Sequence, residues 1–395
     1  MRGNHQAKRP RSRARSALAA GVAVAAALAA AACGSSGAGG GSASGGSASG
    51  GGGGASGPGG VSAHGISAAR CAQNRAAGTI TYLSGYQWQA SASILEYAAA
   101  SKLGYFSDLC LNVALQPGTG DTSQNAKLLA SGRVDITPVA EQDLIQAQAN
   151  GIDIEGVASY SDAGLEILMT NPDVTALSQL NGKIVGDKGS FPATVEAMMI
   201  KAGVQWSSIR VVSEGYDPTV LPRRAGGLAA LTGFVSNEPN QLKAAGDKVT
   251  VWQPVKYGIP SSLASMAVNP AFAKAHPTAV QDLLRAAIHA YDYCSASAAA
   301  TAQCVGYTAG LSGPTYDTTL NESIWTTETQ VVRQNPTPGQ PLGGIDPANV
   351  GKLVTLLHQY AGLPASITAT RAAGWFTNSY IAAIYHNGRL IWPAP

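Results

Sequence analysis

Between Gly182 and Glu196 the chain reads GKIVGDKGSFPATVE, a β-branched run, a glycine turn and the start of a helical pattern in direct succession. Ile184-Val185 close the run, and Gly186-Asp187-Lys188-Gly189 reads as a tight turn. Val195, Met198, Met199 and Ala202 then recur at helical spacing. Ser190 or a neighbour is the expected N-cap, with Pro192 tolerated in a first turn where its missing N–H costs little. A strand that feeds a helix N-terminus through such a turn belongs to an α/β fold. It leaves backbone N–H groups directed outward, able to meet an acceptor or anionic atom. An ordinary strand–turn–helix corner has the same pattern, so the neighbouring segments decide its meaning.

Those segments alternate in the same way. Thr79–Leu83 reads as a strand followed by the loop Ser84–Gln89, then a helical pattern with Ile94, Leu95, Tyr97 and Ala98 that ends at Gly104. Leu109–Leu115, Val134–Ile136 and Gly164–Thr170 read as later strands, with helices at 125–130 and 143–150 between them. After the central stretch come the strand Ile209–Val212, a segment through Leu228–Phe234, a helix near Pro239–Ala245, and Val249–Trp252. From Pro277 onward the pattern is mostly helical. This order predicts parallel sheets with crossover helices arranged as two lobes. The first lobe takes 78–169 and, with the C-terminal helices, 263–395; the second takes 170–262, so the chain crosses near Thr170 and near Ser262. Sheets of this kind bind ligands beyond the carboxyl ends of their strands, here in a shared cleft.

The first 77 residues stand apart. Arg2, Lys8, Arg9, Arg11, Arg13 and Arg15 precede an apolar run from Ala17 to Ala32, then Cys33. This reads as a secretory leader, too short for a stable membrane span. The sequence before Cys33 resembles a bacterial lipobox, with Ala30 where leucine is usual; cleavage without lipid is the alternative. From Gly34 to Gly60, fifteen of 27 residues are glycine, and the Gly/Ser-rich segment 34–77 is expected to be a disordered tether. A flexible coil of ~27 residues spans roughly 30 Å. Without the six leader cations, 20 Lys+Arg face 23 Asp+Glu, a net −3 with charges spread singly, which leaves no footprint for nucleic acid. Four cysteines remain after Cys33, and an even count in an exported chain points to disulfides. The expected pairs are Cys294–Cys304, across a short loop, and Cys71–Cys110.

Enzyme signatures are thin. There is no H-E-x-x-H, no G-x-x-x-x-G-K-[ST] and no G-x-S-x-G, and Gly118-Thr-Gly120 lacks the third glycine of a dinucleotide fingerprint. The six histidines are scattered and none shares metal-ligand spacing with a cysteine. Neither catalysis, metal nor cofactor is expected. The candidate ligand contacts are residues after strands: Gln87 and Trp88, Glu141, Tyr160, Gly189 and Ser190, Tyr216 and Asp217, Asn237 and Glu238. Several have a plain alternative. Trp88 could pack in the core, and Glu141, Asn237 and Glu238 could cap helices. Aromatic rings mixed with amides and acids suit a neutral or basic heterocycle. Lys188 and Ser190 at a helix start keep an anion, such as a sulfonate or nitrate, as the alternative.

Lys102-Leu-Gly-Tyr-Phe106 with Leu111-Asn-Val-Ala-Leu115, then Leu128-Leu-Ala-Ser-Gly-Arg-Val-Asp-Ile136 and Leu180-Asn-Gly-Lys-Ile-Val-Gly186, carry a family resemblance. The chain resembles the type II periplasmic-binding-protein solute receptors of ABC importers, in the branch shared by nitrate, sulfonate and taurine receptors and thiamine-pyrimidine-precursor proteins. The resemblance implies an α/β two-lobe clamshell that closes on a small molecule. It also implies delivery to a membrane permease and its ATPase by a monomer held at the outer face of the cytoplasmic membrane. A pyrimidine-precursor synthase of the same fold is the enzymatic alternative, and a receptor that signals to a membrane partner is a third. One departure stands out: the family's second-lobe G-x-V-D-A block is Gly227-Leu-Ala-Ala-Leu231 here, with Ala230 in place of the acid.

Cys33 is expected to carry the anchor. Two acyl chains, at ~0.8 kcal/mol per buried CH₂, hold a protein stably at a membrane, whereas one is marginal. Cys33→Ser should therefore release the protein into the medium, and an unchanged membrane fraction would sink the assignment.

Overall fold

The structure is a computed structural model that describes residues 65–395; the leader, Cys33 and the glycine-rich segment as far as residue 64 lie outside it. The chain runs α1 (Ala68–Arg75), β1 (Thr79–Leu83), α2 (Leu95–Lys102), α3 (Tyr105–Asp108), β2 (Asn112–Gln116), α4 (Thr122–Ala130), β3 (Ile136–Pro138), α5 (Glu141–Ala149) and β4 (Glu155–Ala158). It continues through β5 (Glu166–Thr170), β6 (Ile184–Asp187), α6 (Ala193–Lys201), β7 (Arg210–Ser213), β8 (Leu228–Phe234), α7 (Glu238–Ala244) and β9 (Thr250–Trp252). The return leg is β10 (Met266–Val268), α8 (Pro270–Ala275), α9 (Pro277–Ser295), α10 (Ala298–Ser312), α11 (Thr318–Gln334) and α12 (Pro347–Tyr360).

The strands form two five-stranded sheets, ordered β2-β1-β3-β10-β4 and β7-β6-β8-β5-β9. Each contains one reversed strand. β10 runs antiparallel to β3 and β4, and β5 runs antiparallel to β8 and β9, while the remaining pairings are parallel. Both reversed strands are the first that the chain lays down after changing sheets. The first crossing therefore precedes Glu166 and does not fall near Thr170, because the whole of β5 already pairs within the second sheet. The crossing segments also pair with each other: Tyr160 N donates to Leu263 O, and Leu263 N to Ser161 O, both at 2.9 Å.

Each sheet is buried by its own apolar cluster. The first joins Ile80, Tyr82, Leu95, Tyr97, Leu283 and Ile288; the second joins Val185, Val195, Met198, Leu353 and Leu357. Helix α12 thus belongs to the second cluster as well as the return leg, and its Asn349 bonds to Ser261 O of a crossing segment. The expected tether is interrupted by α1, which fills 68–75. Ser67 caps it, Arg70 pairs with Asp282 at 2.8 Å, and Asn74 donates to Asp282 and to Leu109 O. Ordered structure begins before Gly78 because these polar anchors and a disulfide offset the entropy of holding the segment.

Cys71–Cys110 and Cys294–Cys304 are both bonded, closing separations of 39 and 10 residues. Loop-closure entropy assigns them about 4 and about 3 kcal/mol respectively. Denaturation by urea should accordingly find C71S/C110S less stable than C294S/C304S, and both less stable than the parent.

Two fully buried acids add a pH dependence. Burial pushes Glu96 up to about 8, and burial with the nearby Asp162 charge does the same for Glu141. An unfolded chain releases these protons near the ordinary glutamate value, so the folded state binds more protons between about pH 4.5 and 8. These groups therefore make folding less favourable as pH rises across that window. The urea midpoint should be higher at pH 5.5 than at pH 8, and E96Q or E141Q should flatten the slope.

Candidate functional site

Loops leaving the carboxyl ends of β1, β2 and β3 face loops leaving β6, β7 and β8 across an open cleft of about 1190 Å³. Gly85 and Tyr86, Gly120–Ser123, and Gln142 and Asp143 come from the first sheet's side. Lys188–Thr194, Tyr216, Thr232–Phe234, Ser236 and Asn237 come from the second, and Glu328 of α11 and Leu356, Leu357 and Tyr360 of α12 also line it.

The central stretch forms much of the second wall. β6 ends at Asp187, whose Oδ1 accepts from Gly189 N at 2.8 Å; Gly189 turns the chain at φ +105°, where a side chain would be strained. Pro192, not Ser190, immediately precedes α6, because Phe191 and Pro192 extend the turn before helical geometry starts. Lys188 points back into the wall and pairs with Glu238, which also accepts from Phe234 N at 2.6 Å. The Lys188 ammonium lies 5.0 Å from the Phe234 ring centroid and 5.7 Å from that of Tyr216. Burial pulls this lysine down from its ordinary range to about 8. Phe234 and Tyr216 are left 43% and 69% exposed at the cleft mouth, which makes them available to a ligand.

On the opposite lip stands Tyr86, 40% exposed. Its ring lies against Gly120, at φ +87°, where a Cβ would sit 2.6 Å from Tyr86 Cδ2. Only glycine fits beneath that ring. Deeper in the cleft are three carboxylates from three elements. Burial, and then Glu166, pushes Asp143 up to about 7; burial raises Glu166 itself, with the Thr194 hydroxyl bond acting against it. Glu328 is fully buried and pushed up to about 7 by desolvation, although Ser91, Ala92 and Ser236 all donate to it. Among the described lining residues Lys188 is the single lysine or arginine, and its charge is already matched.

The structure brings together only part of the set read from sequence. Gly189, Ser190, Tyr216 and Asn237 line the cleft. Trp88 packs in the first core, and Gln87 turns away to donate to Gly118 O at 3.1 Å. Tyr160 is buried edge-on against Tyr291 beneath the cleft. Glu141 is buried beside the crossing segments, where its N–H donates to Ser262 Oγ and its carboxylate accepts from Asn349. Asp217 is exposed and caps a short turn through Thr219 N at 2.9 Å. Glu238 lies behind the wall, and its oxygens are taken by protein donors.

Sequence reasoning left Tyr86 and Phe234 out of the chosen contacts and missed Asp143, Glu166 and Glu328. Tyr86 and Phe234 stood inside loops already singled out and needed only the opposite choice of neighbour. Asp143 lies in the first turn of the helix after β3, which is a readable signal. Glu166 and Glu328 carried none, since one begins a strand and the other sits in mid-helix.

Residues 91–300 match the family described as NMT1/THI5 like. A formylaminopyrimidine-binding protein of Halalkalibacterium halodurans is 24% identical over 198 residues, which are 48% of this chain and 59% of that relative. Two solved structures share the architecture. The alkanesulfonate-binding protein SsuA of Xanthomonas axonopodis pv. citri, bound to MOPS, has a TM-score of 0.52 at 14% identity, over 74% of this chain and 97% of its own. The nitrate-binding protein NrtA of Synechocystis PCC 6803 has a TM-score of 0.54 at 10% identity, over 77% and 87%. At such identities the likeness establishes the fold alone. Because the family match spans more than half of the chain, the protein belongs to the NMT1/THI5-like family and has the periplasmic-binding-protein fold.

Proposed function

We propose that this protein is an exported solute-binding component of an ABC importer. It captures a small flat nitrogen heterocycle carrying amino groups, of the aminopyrimidine class, between its lobes. The observation that carries the reading is the sign of the cleft. Asp143 and Glu166 line it, and its one described lysine is matched by Glu238. These two carboxyl groups can accept hydrogen bonds from ring amines or pair with a protonated ring, and the described lining offers a sulfonate or nitrate no unmatched cation. Tyr86 on one lip, with Phe234 and Tyr216 on the other, supplies faces for stacking, worth roughly 0.5–1.5 kcal/mol beyond burial. The name of the 24%-identical relative, a formylaminopyrimidine-binding protein, agrees in ligand class. On this reading the chain acts without catalysis. It is held at the outer face of the cytoplasmic membrane through Cys33 and passes its ligand as a monomer to a permease and its ATPase.

A thermal-shift panel of aminopyrimidines, alkanesulfonates and nitrate tests the class. An aminopyrimidine should raise the Tm, and the anions should leave it unchanged. Calorimetry with the responding aminopyrimidine should then find Y86A and F234A each about tenfold weaker, a loss of ~1.4 kcal/mol. A Tm raised by the anions alone would overturn the ligand class, and unweakened binding in both variants would overturn the placement of the ring.

A further inference from the structure

Helix α11 touches both lobes along one polar seam. At its carboxyl end the capping residue Asn335 accepts through its O from Ser161 Oγ of the first crossing at 2.6 Å. Seven residues earlier, about 10 Å along the helix, lies Glu328. Its Oε1 accepts from Ser91 Oγ of the first lobe at 2.6 Å and from Ser236 Oγ of the second at 2.8 Å; its Oε2 accepts from Ala92 N at 2.7 Å. One oxygen thus joins hydroxyls from both lobes. Beside it, Asn240 Nδ2 of α7 donates to Thr327 Oγ1 at 3.2 Å. Trp325 fixes α11 to the first lobe, buried edge-on against Tyr291 with its Nε1 donating to Cys294 O. Any rotation about the crossings must therefore stretch the Ser236 and Asn240 bonds and spare those to Ser91 and Ala92.

We infer that Glu328 is a positioning residue that holds the two lobes at their present separation through Ser236. The bond is buried, and its loss leaves a carboxyl oxygen short of a donor, so it shifts the compact-to-open ratio about tenfold. Ser91 and Ala92 keep the carboxylate aimed at the second lobe and bear no load between lobes.

Single-molecule energy transfer tests this on ligand-free protein, with dyes attached through unnatural amino acids at exposed Lys127 of α4 and Lys243 of α7. The parent should show one dominant short distance. S236A should gain a longer-distance population about tenfold above the parent's, and S236A/N240A more, while S91A keeps the parent distribution. Each change removes only a small side chain or amide, so the test does not hinge on truncating the buried acid. A parent dominated by the longer distance, no change in S236A/N240A, or equal opening in S91A would each overturn the inference. No ligand is needed, so failure here leaves the proposed ligand class untouched.

Discussion

Two strands that run against their neighbours determine the shape of the binding region. β5 and β10 are where the chain commits to a new sheet, and each joins it antiparallel at the fourth position in the order. With both so placed, the parallel strands of each lobe present their carboxyl ends to the same gap. The crossings are then short enough to pair with each other through Ser161 and Leu263. Had either strand been inserted parallel, its connection would have needed a longer crossover, and the two lobes could not share so narrow a hinge.

The Lys188–Glu238 pair then sets the electrostatic character of one wall. A buried glutamate with no cation would be costly, and a lysine free at the mouth would invite an anion. Together they cancel, and the Glu238 bond to Phe234 N fixes the loop that carries the exposed ring. Asp143, Glu166 and Glu328 have no such cation and are accommodated by retaining protons more tightly than ordinary carboxylates. The wall chemistry therefore follows from which acids have a partner, more than from how many acids there are.

Much of the fold was legible because the alternation of β-branched runs and helical spacing is a property of local sequence. The blocks near Lys102, Leu128 and Leu180 added the family. The site was harder to read for a geometric reason. Successive residues of a loop after a strand point in different directions, so Trp88 and Tyr86 were equally plausible until their burial was known. Asp217 and Glu238 followed strands as expected, yet nearby donors took up their oxygens, Thr219 for the first and Lys188, Asn237 and Phe234 N for the second. Glu166 and Glu328, 162 residues apart, become neighbours of one cavity only through the exchange of the chain between sheets.

The short first helix has a mechanical consequence. Cys71 joins α1 covalently to Cys110 ahead of β2, and Arg70 and Asn74 tie it to Asp282 on α9. Force arriving along the backbone from the amino-terminal side is therefore delivered into the first lobe and dissipated there. The second lobe receives no direct traction, so whatever restrains the molecule from that end, its swing is governed, among the described residues, by the crossings and by the helices packed across the two lobes, α11 and α12 foremost.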